Sequence, residues 1–187
     1  MTAYLEDNLL PLILSIKPKK TSSYILEALG MEDCVSRQSI LIAFGERIEK
    51  FWNNVISDSY ADNLIEDNNY IQVGDRVRQI DHLFRIVDVT YYLESKCNLN
   101  FDSEKVRASN DKVYAIATTI GGDVHAAYFV PVVAEVPQKE LTKYNNKGMD
   151  VVGVNWMLSK INAPFTADEY FTFLKEVVAP ILQEMGL

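Results

Sequence analysis

The stretch QIDHLFRIVDVTYYLESKCNLNFD, residues 79–102, decides the fold because it combines sheet-forming runs with charged side chains. Its apolar, aromatic and β-branched residues are typical of strands. Asp81 lies in the first run, and Glu94 and Lys96 lie in the second. Alternate residues of a strand share a face, so Tyr92, Glu94 and Lys96 point to the same side. The stretch therefore predicts a sheet with a charged group on one face.

The sequence around this stretch predicts a mixed sheet. From residue 70 the alternation of apolar and polar residues indicates three strands in succession, and their short connections favour antiparallel neighbours. Two later apolar runs predict further strands. The predicted strands are YIQV, RQIDHLF, TYYLESKCNL, HAAYFVPVVAEV and DVVGVNWML.

Helical periodicity predicts the elements that cover this sheet. Apolar residues recur at helical spacing over residues 5–16, where Pro11 interrupts them, and over residues 35–56. A further helix is predicted from Asp102 or Ser103 to about Ile120. Short helices are predicted before Gly30 and after Pro137.

The last helix has the clearest start signal. Thr166 and Glu169 have the spacing of a capping box, and Phe165 and Tyr170 have the spacing of a hydrophobic staple. Helices that precede and follow the strands predict an α/β protein whose central mixed β-sheet is flanked by helices on both faces. A length of 187 residues predicts a single domain over residues 1–187.

The charge balance restricts the possible functions. The formal net charge is −8 and the pI is about 4.8. Nucleic-acid-binding proteins usually show a basic footprint, so such a role requires local basic residues or acids gathered around a metal. No apolar run approaches the roughly 20 residues of a membrane helix. The N-terminal segment lacks the pattern of a signal peptide, and we expect no membrane partner and a cytoplasmic location.

The acids of the opening stretch predict a metal site. If the strand containing Asp81 pairs with the next one, Asp81 lies beside Glu94, because neighbouring strands are about 4.8 Å apart. Two such carboxylates repel each other unless a cation lies between them. Mg²⁺ is commonly held by one or two carboxylates with water and phosphate oxygens. Lys96 reaches the same pocket.

Asp81 followed by Glu94-x-Lys96 resembles the active site of the PD-(D/E)xK nuclease superfamily, which includes most type II restriction endonucleases and the archaeal Holliday-junction resolvases. Ile80 stands where the family motif has proline. The resemblance implies a restriction-endonuclease-like core. It also implies that Asp81, Glu94 and the backbone carbonyl of Ser95 bind Mg²⁺, with Mn²⁺ as a possible substitute, and that Lys96 positions the attacking water.

A glutamate on the long helix extends the resemblance. Many members of the superfamily carry a glycine, then a glutamate four residues later and an apolar residue three further on; here these are Gly45, Glu49 and Trp52. Glu49 is therefore a candidate catalytic residue that supports the metal site, with Glu46 as the alternative. A solvated glutamate beside its basic neighbours is the other interpretation.

The segment after Lys96 contributes polar and basic residues. Restriction-type members commonly continue from this strand into such a segment and a helix near DNA. The resemblance therefore implies DNA contacts from Asn98, Asn100, Lys105, Arg107, Asn110 and Lys112. A solvated helix face is the other interpretation of the same residues.

The resemblance favours a type II restriction endonuclease, a Mg²⁺-dependent, site-specific deoxyribonuclease that cuts double-stranded DNA as a homodimer. A junction resolvase, or a repair or phage nuclease of the same fold, is the alternative among nucleases. A catalytically inert binding or regulatory protein is the alternative from another class. No motif in the chain encodes the recognition sequence, because base contacts depend on how the protein docks in the groove.

Overall fold

The structure is a computed structural model that describes residues 3–20, 35–65, 69–98, 103–145 and 148–187. The side chains of residues 103–105, 143 and 145 lie outside this description. The chain divides into two compact units, one formed by Met1–Phe51 with Pro164–Leu187 and the other by Trp52–Ala163. None of the helices in the described ranges is long and apolar enough to cross a membrane.

The described strands of the second unit are β1 (Asp62–Asn63), β2 (Tyr70–Val73), β3 (Arg76–Gln79), β4 (His82–Ile86), β5 (Val89–Ser95), β6 (Val124–Phe129) and β7 (Asp150–Val152). Five of them form a mixed sheet in the order β1-β4-β5-β6-β7. Strand β4 pairs antiparallel with β1 and β5, whereas β6 pairs parallel with β5 and β7. A separate antiparallel hairpin joins β2 and β3.

The helices largely follow the predicted order. The described ranges contain α1 (Ala3–Asn8), α2 (Leu10–Leu14), α3 (Arg37–Ser57), α4 (Ser103–Ile120), α5 (Gln138–Asn145), α6 (Val154–Lys160), α7 (Ala167–Phe173), a π-helical turn (Leu174–Val178) and α8 (Ala179–Glu184). The helix predicted over residues 5–16 is divided at Leu9, and Pro11 lies in the first turn of α2, where its missing N–H is tolerated. The short helix predicted before Gly30 falls outside the described residues.

Helices cover both faces of the sheet within the second unit. On one face, Tyr92 and Tyr128 share a buried core with Val113 of α4 and Tyr144 of α5. On the other face, the edge of the Trp52 ring meets Phe129 with the ring centroids 5.3 Å apart. There, Trp156 of α6 also stacks on His125, with the centroids 5.5 Å apart. The predicted α/β architecture, with a central mixed sheet flanked by helices on both faces, is confirmed.

The first unit has an aromatic core and the predicted helix start. Phe51 stacks on Tyr170 with the ring centroids 6.0 Å apart. Phe165 also stacks on Tyr170, again at 6.0 Å. Thr166 and Glu169 exchange hydrogen bonds at the start of α7, the Glu169 amide donating to Thr166 Oγ1 over 3.3 Å and the Thr166 amide donating to Glu169 Oε2 over 2.9 Å. The predicted capping box and the staple contact are both confirmed.

The structure differs from the sequence prediction at RQIDHLF, where alternation predicts one strand. The segment divides at Ile80–Asp81, which belong to no strand. The residues before the break pair with β2 in the hairpin, and the residues after it pair with β1 and β5 in the main sheet. Pairing with two different sheets bends the chain at Asp81.

A second difference lies in DVVGVNWML. Strand β7 ends at Val152, and Gly153 begins helix α6 instead of continuing the strand. Val154, Met157 and Ile161 are buried at helical spacing. A side chain at position 153 would place its Cβ 2.5 Å from the carbonyl oxygen of Ala134, so the close approach of the two backbones requires glycine.

Candidate active site

Asp81 is held in the bend between the two sheets. Asp81 directly precedes β4, whose first residue, His82, pairs with Leu93 of β5. The Ser95 amide donates a 2.8 Å hydrogen bond to Asp81 Oδ2. The Asp81 side chain thus bridges to β5, and the residue is only 7% exposed.

Glu94 lies on β5 and receives four hydrogen bonds. Lys96 Nζ is 2.7 Å from Glu94 Oε1. Lys112 Nζ, from helix α4, is 2.8 Å from both Oε1 and Oε2. The Tyr92 hydroxyl donates to Oε2 over 3.0 Å. The carboxylate is 4% exposed, so two ammonium groups and one hydroxyl replace most of its water.

The two carboxylates have opposite pKa shifts. Burial raises the pKa of Asp81 to about 6, and the negative charge of Glu94 adds to the rise, while Lys96, Lys112 and the Ser95 amide oppose it. Burial also raises the pKa of Glu94, but the charges and hydrogen bonds of Lys96 and Lys112 together lower it below its ordinary value. Glu94 is therefore the firmly ionised member of the pair, and Asp81 is the member that a nearby cation would help to ionise.

The opposite side of the bend is anchored by a neutral histidine. Asn53 Nδ2, near the end of α3, donates to the Asp81 carbonyl oxygen over 3.0 Å. Asn53 Oδ1 is 2.7 Å from His82 Nδ1. Burial lowers the pKa of His82 to about 3, so the ring is neutral at ordinary pH. His82 is completely buried.

Helix α4 contributes a second buried polar group beside the site. Asn110 is 4% exposed. The Tyr128 hydroxyl donates to Asn110 Oδ1 over 2.8 Å, and Tyr128 is the β6 partner of Glu94 in the sheet. Asn110 thus lies inside the unit, beneath the surface that the DNA-contact hypothesis assigns to it.

The structure brings some of the predicted site residues together. Lys96 and Lys112 both contact Glu94, and the amide of the adjacent Ser95 contacts Asp81. In the structure the Lys112 ammonium group is hydrogen-bonded to Glu94. The DNA contact of Lys112 stays a prediction.

The roles of the other predicted site residues stay predictions. Asn98 and Arg107 are exposed. Asn100 and the Lys105 side chain lie outside the described residues. Glu49 is half-buried and Glu46 is exposed, and both belong to the first unit. A carboxylate oxygen of Glu46 is 3.9 Å from a guanidinium nitrogen of Arg47.

Three supporting contacts are absent from the sequence prediction. Strand alternation places Tyr92 on the face of Glu94, but it does not identify the hydroxyl as a donor to the carboxylate. The hydrogen bond from Lys112 to Glu94 and the one from Asn53 to the Asp81 carbonyl cannot be predicted from the local sequence. Each joins elements that are distant in the sequence.

Comparison with known proteins yields limited likeness. No family model matches the chain. No curated protein matches it either. Among solved structures, Can2 from Sulfobacillus thermosulfidooxidans, in complex with cyclic tetra-adenylate, is 13% identical with a TM-score of 0.43, over 79% of this chain and 47% of that chain. Protein VC1899 from Vibrio cholerae is 14% identical with a TM-score of 0.40, over 80% of this chain and 36% of that chain. The chain thus spans less than half the length of either structure.

Proposed function

We propose that the protein is a Mg²⁺-dependent endodeoxyribonuclease that hydrolyses phosphodiester bonds of double-stranded DNA, as a type II restriction endonuclease. The observation that supports this proposal is that the buried Asp81 is held on the Ser95 amide, next in the chain to the buried Glu94, whose carboxylate contacts Lys96. Two adjacent buried carboxylates with a lysine are a donor set suited to a hard cation and a phosphate.

The proposed metal ligands are Asp81, Glu94 and the Ser95 carbonyl. One Asp81 oxygen accepts the Ser95 amide, and the other accepts no hydrogen bond from any described residue. The described ranges contain no group of three or more His, Cys, Asp or Glu side chains suited to a metal. Two carboxylates would leave positions for water and phosphate oxygens, as Mg²⁺ prefers, and Mn²⁺ would be accepted as well. A metal bound there would stabilise charge on the scissile phosphate and the leaving 3′ oxygen.

The two lysines have separate roles in this proposal. Lys96 would hold the attacking water, and its positive charge would favour loss of the water proton. Lys112 balances the charge of Glu94. If Glu94 bound a metal instead, the Lys112 ammonium would become available to the phosphate. The product would carry a 5′ phosphate. Support from Glu49, or from Glu46 instead, is part of the same proposal.

A plasmid cleavage assay tests the proposal. Wild type is expected to cut with Mg²⁺ or Mn²⁺, and to bind without cutting with Ca²⁺. Asp81→Asn, Glu94→Gln and Lys96→Ala are each expected to lower the cleavage rate by about 10²-fold or more. Asp88→Asn, an exposed acid in the β4–β5 turn, and Lys139→Ala on α5 are matched controls that should cut normally. Full activity in EDTA, or normal rates in the three site variants, would contradict the proposal.

A thermal-shift measurement gives a readout that is independent of cleavage. Ca²⁺ is expected to raise the unfolding temperature of wild type and of Asp88→Asn, because a ligand that binds only the folded state stabilises it. Asp81→Asn and Glu94→Gln should show a smaller rise.

Discrete plasmid fragments would indicate restriction, whereas cleavage confined to branched substrates would indicate a junction resolvase.

A catalytically inert binding or regulatory protein is the second candidate. It is favoured by the two ammonium groups on Glu94, which satisfy the buried carboxylate without a metal. Absence of cleavage on plasmid and branched DNA in both Mg²⁺ and Mn²⁺, together with no thermal shift from Ca²⁺, would support this candidate.

A further inference from the structure

The β2–β3 hairpin turns two arginines towards helix α4. In its register, Ile71 lies opposite Arg78 and Val73 lies opposite Arg76. Directly paired residues share a face of an antiparallel ladder, so these four side chains project to the same side. Ile71 and Val73 pack against the core that α4 helps to form. The arginines therefore extend from the inward face of the hairpin.

The outward face of the hairpin carries two glutamines, Gln72 and Gln79, and two apolar side chains. Tyr70 is 61% exposed and Val77 is 64% exposed. The inward face therefore combines two apolar residues that pack on the core, Ile71 and Val73, with two arginines beside helix α4. Packing of the hairpin is provided by the apolar pair and does not need the two cations.

A cavity of about 600 Å³ separates the hairpin from α4. Arg76 and Arg78 line it from the hairpin, and Ser109, Asp111 and Lys112 line it from the helix. We call it the hairpin–helix groove. The side chain of neither arginine forms a hydrogen bond or ion pair with any residue that the structure describes. Two guanidinium groups without a described partner thus line the groove with Lys112, which is paired with Glu94, and with Asp111, in a chain with a net charge of −8.

Lys112 connects the groove to the candidate active site. It lines the groove, and its ammonium contacts both carboxylate oxygens of Glu94. A polyanion lying along Arg76 and Arg78 would therefore reach the carboxylate pair without crossing uncharged surface. Alternate strand residues are about 6.6 Å apart, so the two guanidinium groups can engage different phosphates of one strand.

We propose that the hairpin–helix groove binds the backbone phosphates of duplex DNA next to the bond that is cut. The inference rests on the proposed nuclease function and adds a phosphate-binding surface on the hairpin, outside the six residues predicted from the sequence to contact DNA. Arg76 and Arg78 hold the strand by charge and hydrogen bonding to phosphates, and they carry no sequence preference of their own.

The test is a titration of a fluorescently labelled duplex in EDTA, where the DNA remains intact, over a series of salt concentrations. Each arginine that neutralises a phosphate adds about 0.9 to the magnitude of the slope of log K against log salt. Arg76→Ala and Arg78→Ala are each expected to reduce the slope by about 0.9, and the double variant by about 1.8. The double lysine variant keeps the charge and should keep most of the slope.

Arg85→Ala is the matched control. It removes the same charge from an exposed arginine that is paired with Asp62 at 2.9 Å, and its slope should equal that of wild type. A double alanine variant with the wild-type slope would overturn the groove, while cleavage by wild type in Mg²⁺ would leave the proposed function intact. If wild type neither binds nor cuts duplex DNA in Mg²⁺, the proposed function fails and the groove fails with it.

Discussion

At the scale of single residues, the site is built around an imbalance between two carboxylates. Glu94 has two ammonium partners and a hydroxyl, whereas Asp81 has one backbone amide. The lysines therefore stabilise the charge of Glu94 far more than that of Asp81, as the opposite pKa shifts indicate. Without a metal, the charge on Asp81 is the poorly compensated one.

This imbalance predicts a stability that depends on pH. The pKa of Asp81 rises from 3.8 to about 6, first through burial and then through Glu94. Between these values the folded protein holds a proton that the unfolded chain has lost, so the free energy of unfolding falls as pH rises through this window. Asparagine carries no charge and can still accept the Ser95 amide. Asp81→Asn is expected to raise the free energy of unfolding at neutral pH by up to about 3 kcal/mol.

Urea unfolding in EDTA at several pH values measures this effect. The difference between Asp81→Asn and wild type should be largest at neutral pH and should vanish below about pH 4, where both side chains are neutral. Asp88→Asn, at an exposed turn position, has no burial to relieve and should show no such trend. A variant less stable than wild type at neutral pH would show that the charge of Asp81 is well compensated.

At the scale of elements, the end of α3 fixes the bend that carries Asp81. The side chain of Asn53 makes two contacts there, since it donates to the Asp81 carbonyl and also meets His82 Nδ1. Because Asn53 Oδ1 can only accept, the neutral His82 ring carries its proton on Nδ1. The Asn53 side chain therefore contacts both residues at the point where the chain passes from the hairpin to the main sheet.

Asn53→Ala should therefore destabilise the protein. It leaves the His82 N–H and the Asp81 carbonyl buried without a partner, and the expected loss is about 2 kcal/mol of the free energy of unfolding. Asn54→Ala is the matched control, since Asn54 is half-buried on the same helix and its side chain bonds to no described residue. Urea unfolding of both variants measures the effect. Equal losses would mean that the Asn53 contacts contribute nothing specific.

The elements also show what sequence periodicity can and cannot predict. Alternation along β5 and the residue after it predicts that Tyr92, Glu94 and Lys96 share a face, and Tyr92 and Lys96 do both contact Glu94, because that relation is local. It does not predict the division of RQIDHLF, since Ile80, His82 and Phe84 continue the alternation across the bend. A change of pairing partner leaves no trace in the period of a strand.

Contacts between elements that are distant in the sequence cannot be predicted from periodicity for a related reason. Lys112 reaches Glu94 because the crossover from β5 through α4 to β6 returns the helix over the parallel pair. Periodicity identifies the apolar face of a helix, but not its rotation and height above a particular strand. The inward arginines of the hairpin are likewise not predicted, because alternation does not tell which face meets α4.

At the scale of the whole molecule, the acidity of the chain is compatible with the proposed substrate only through local cations. The net charge of −8 repels DNA at long range, and screening by salt weakens this repulsion beyond about 10 Å. Binding then depends on the few unpaired cations near the site. Arg76 and Arg78 are such cations within the described part of the chain.

One chain provides one set of Asp81, Glu94 and Lys96, whereas a duplex has two strands to cut. A symmetric homodimer would supply two sites, and its twofold axis would match a palindromic sequence. Sedimentation of wild type with a duplex in Ca²⁺ is expected to show two chains per duplex. Wild type alone should convert supercoiled plasmid directly to linear DNA.

Mixed dimers give the sharper test. When wild type is mixed with excess Lys96→Ala, most active dimers contain one competent site, and the main product should change from linear to nicked plasmid. Excess Lys139→Ala, which retains Lys96, should leave the linear product unchanged. A protein that works as a monomer would cut the two strands in separate events, and adding Lys96→Ala would slow it by competition without changing the ratio of nicked to linear product. An unchanged ratio would therefore exclude the dimer.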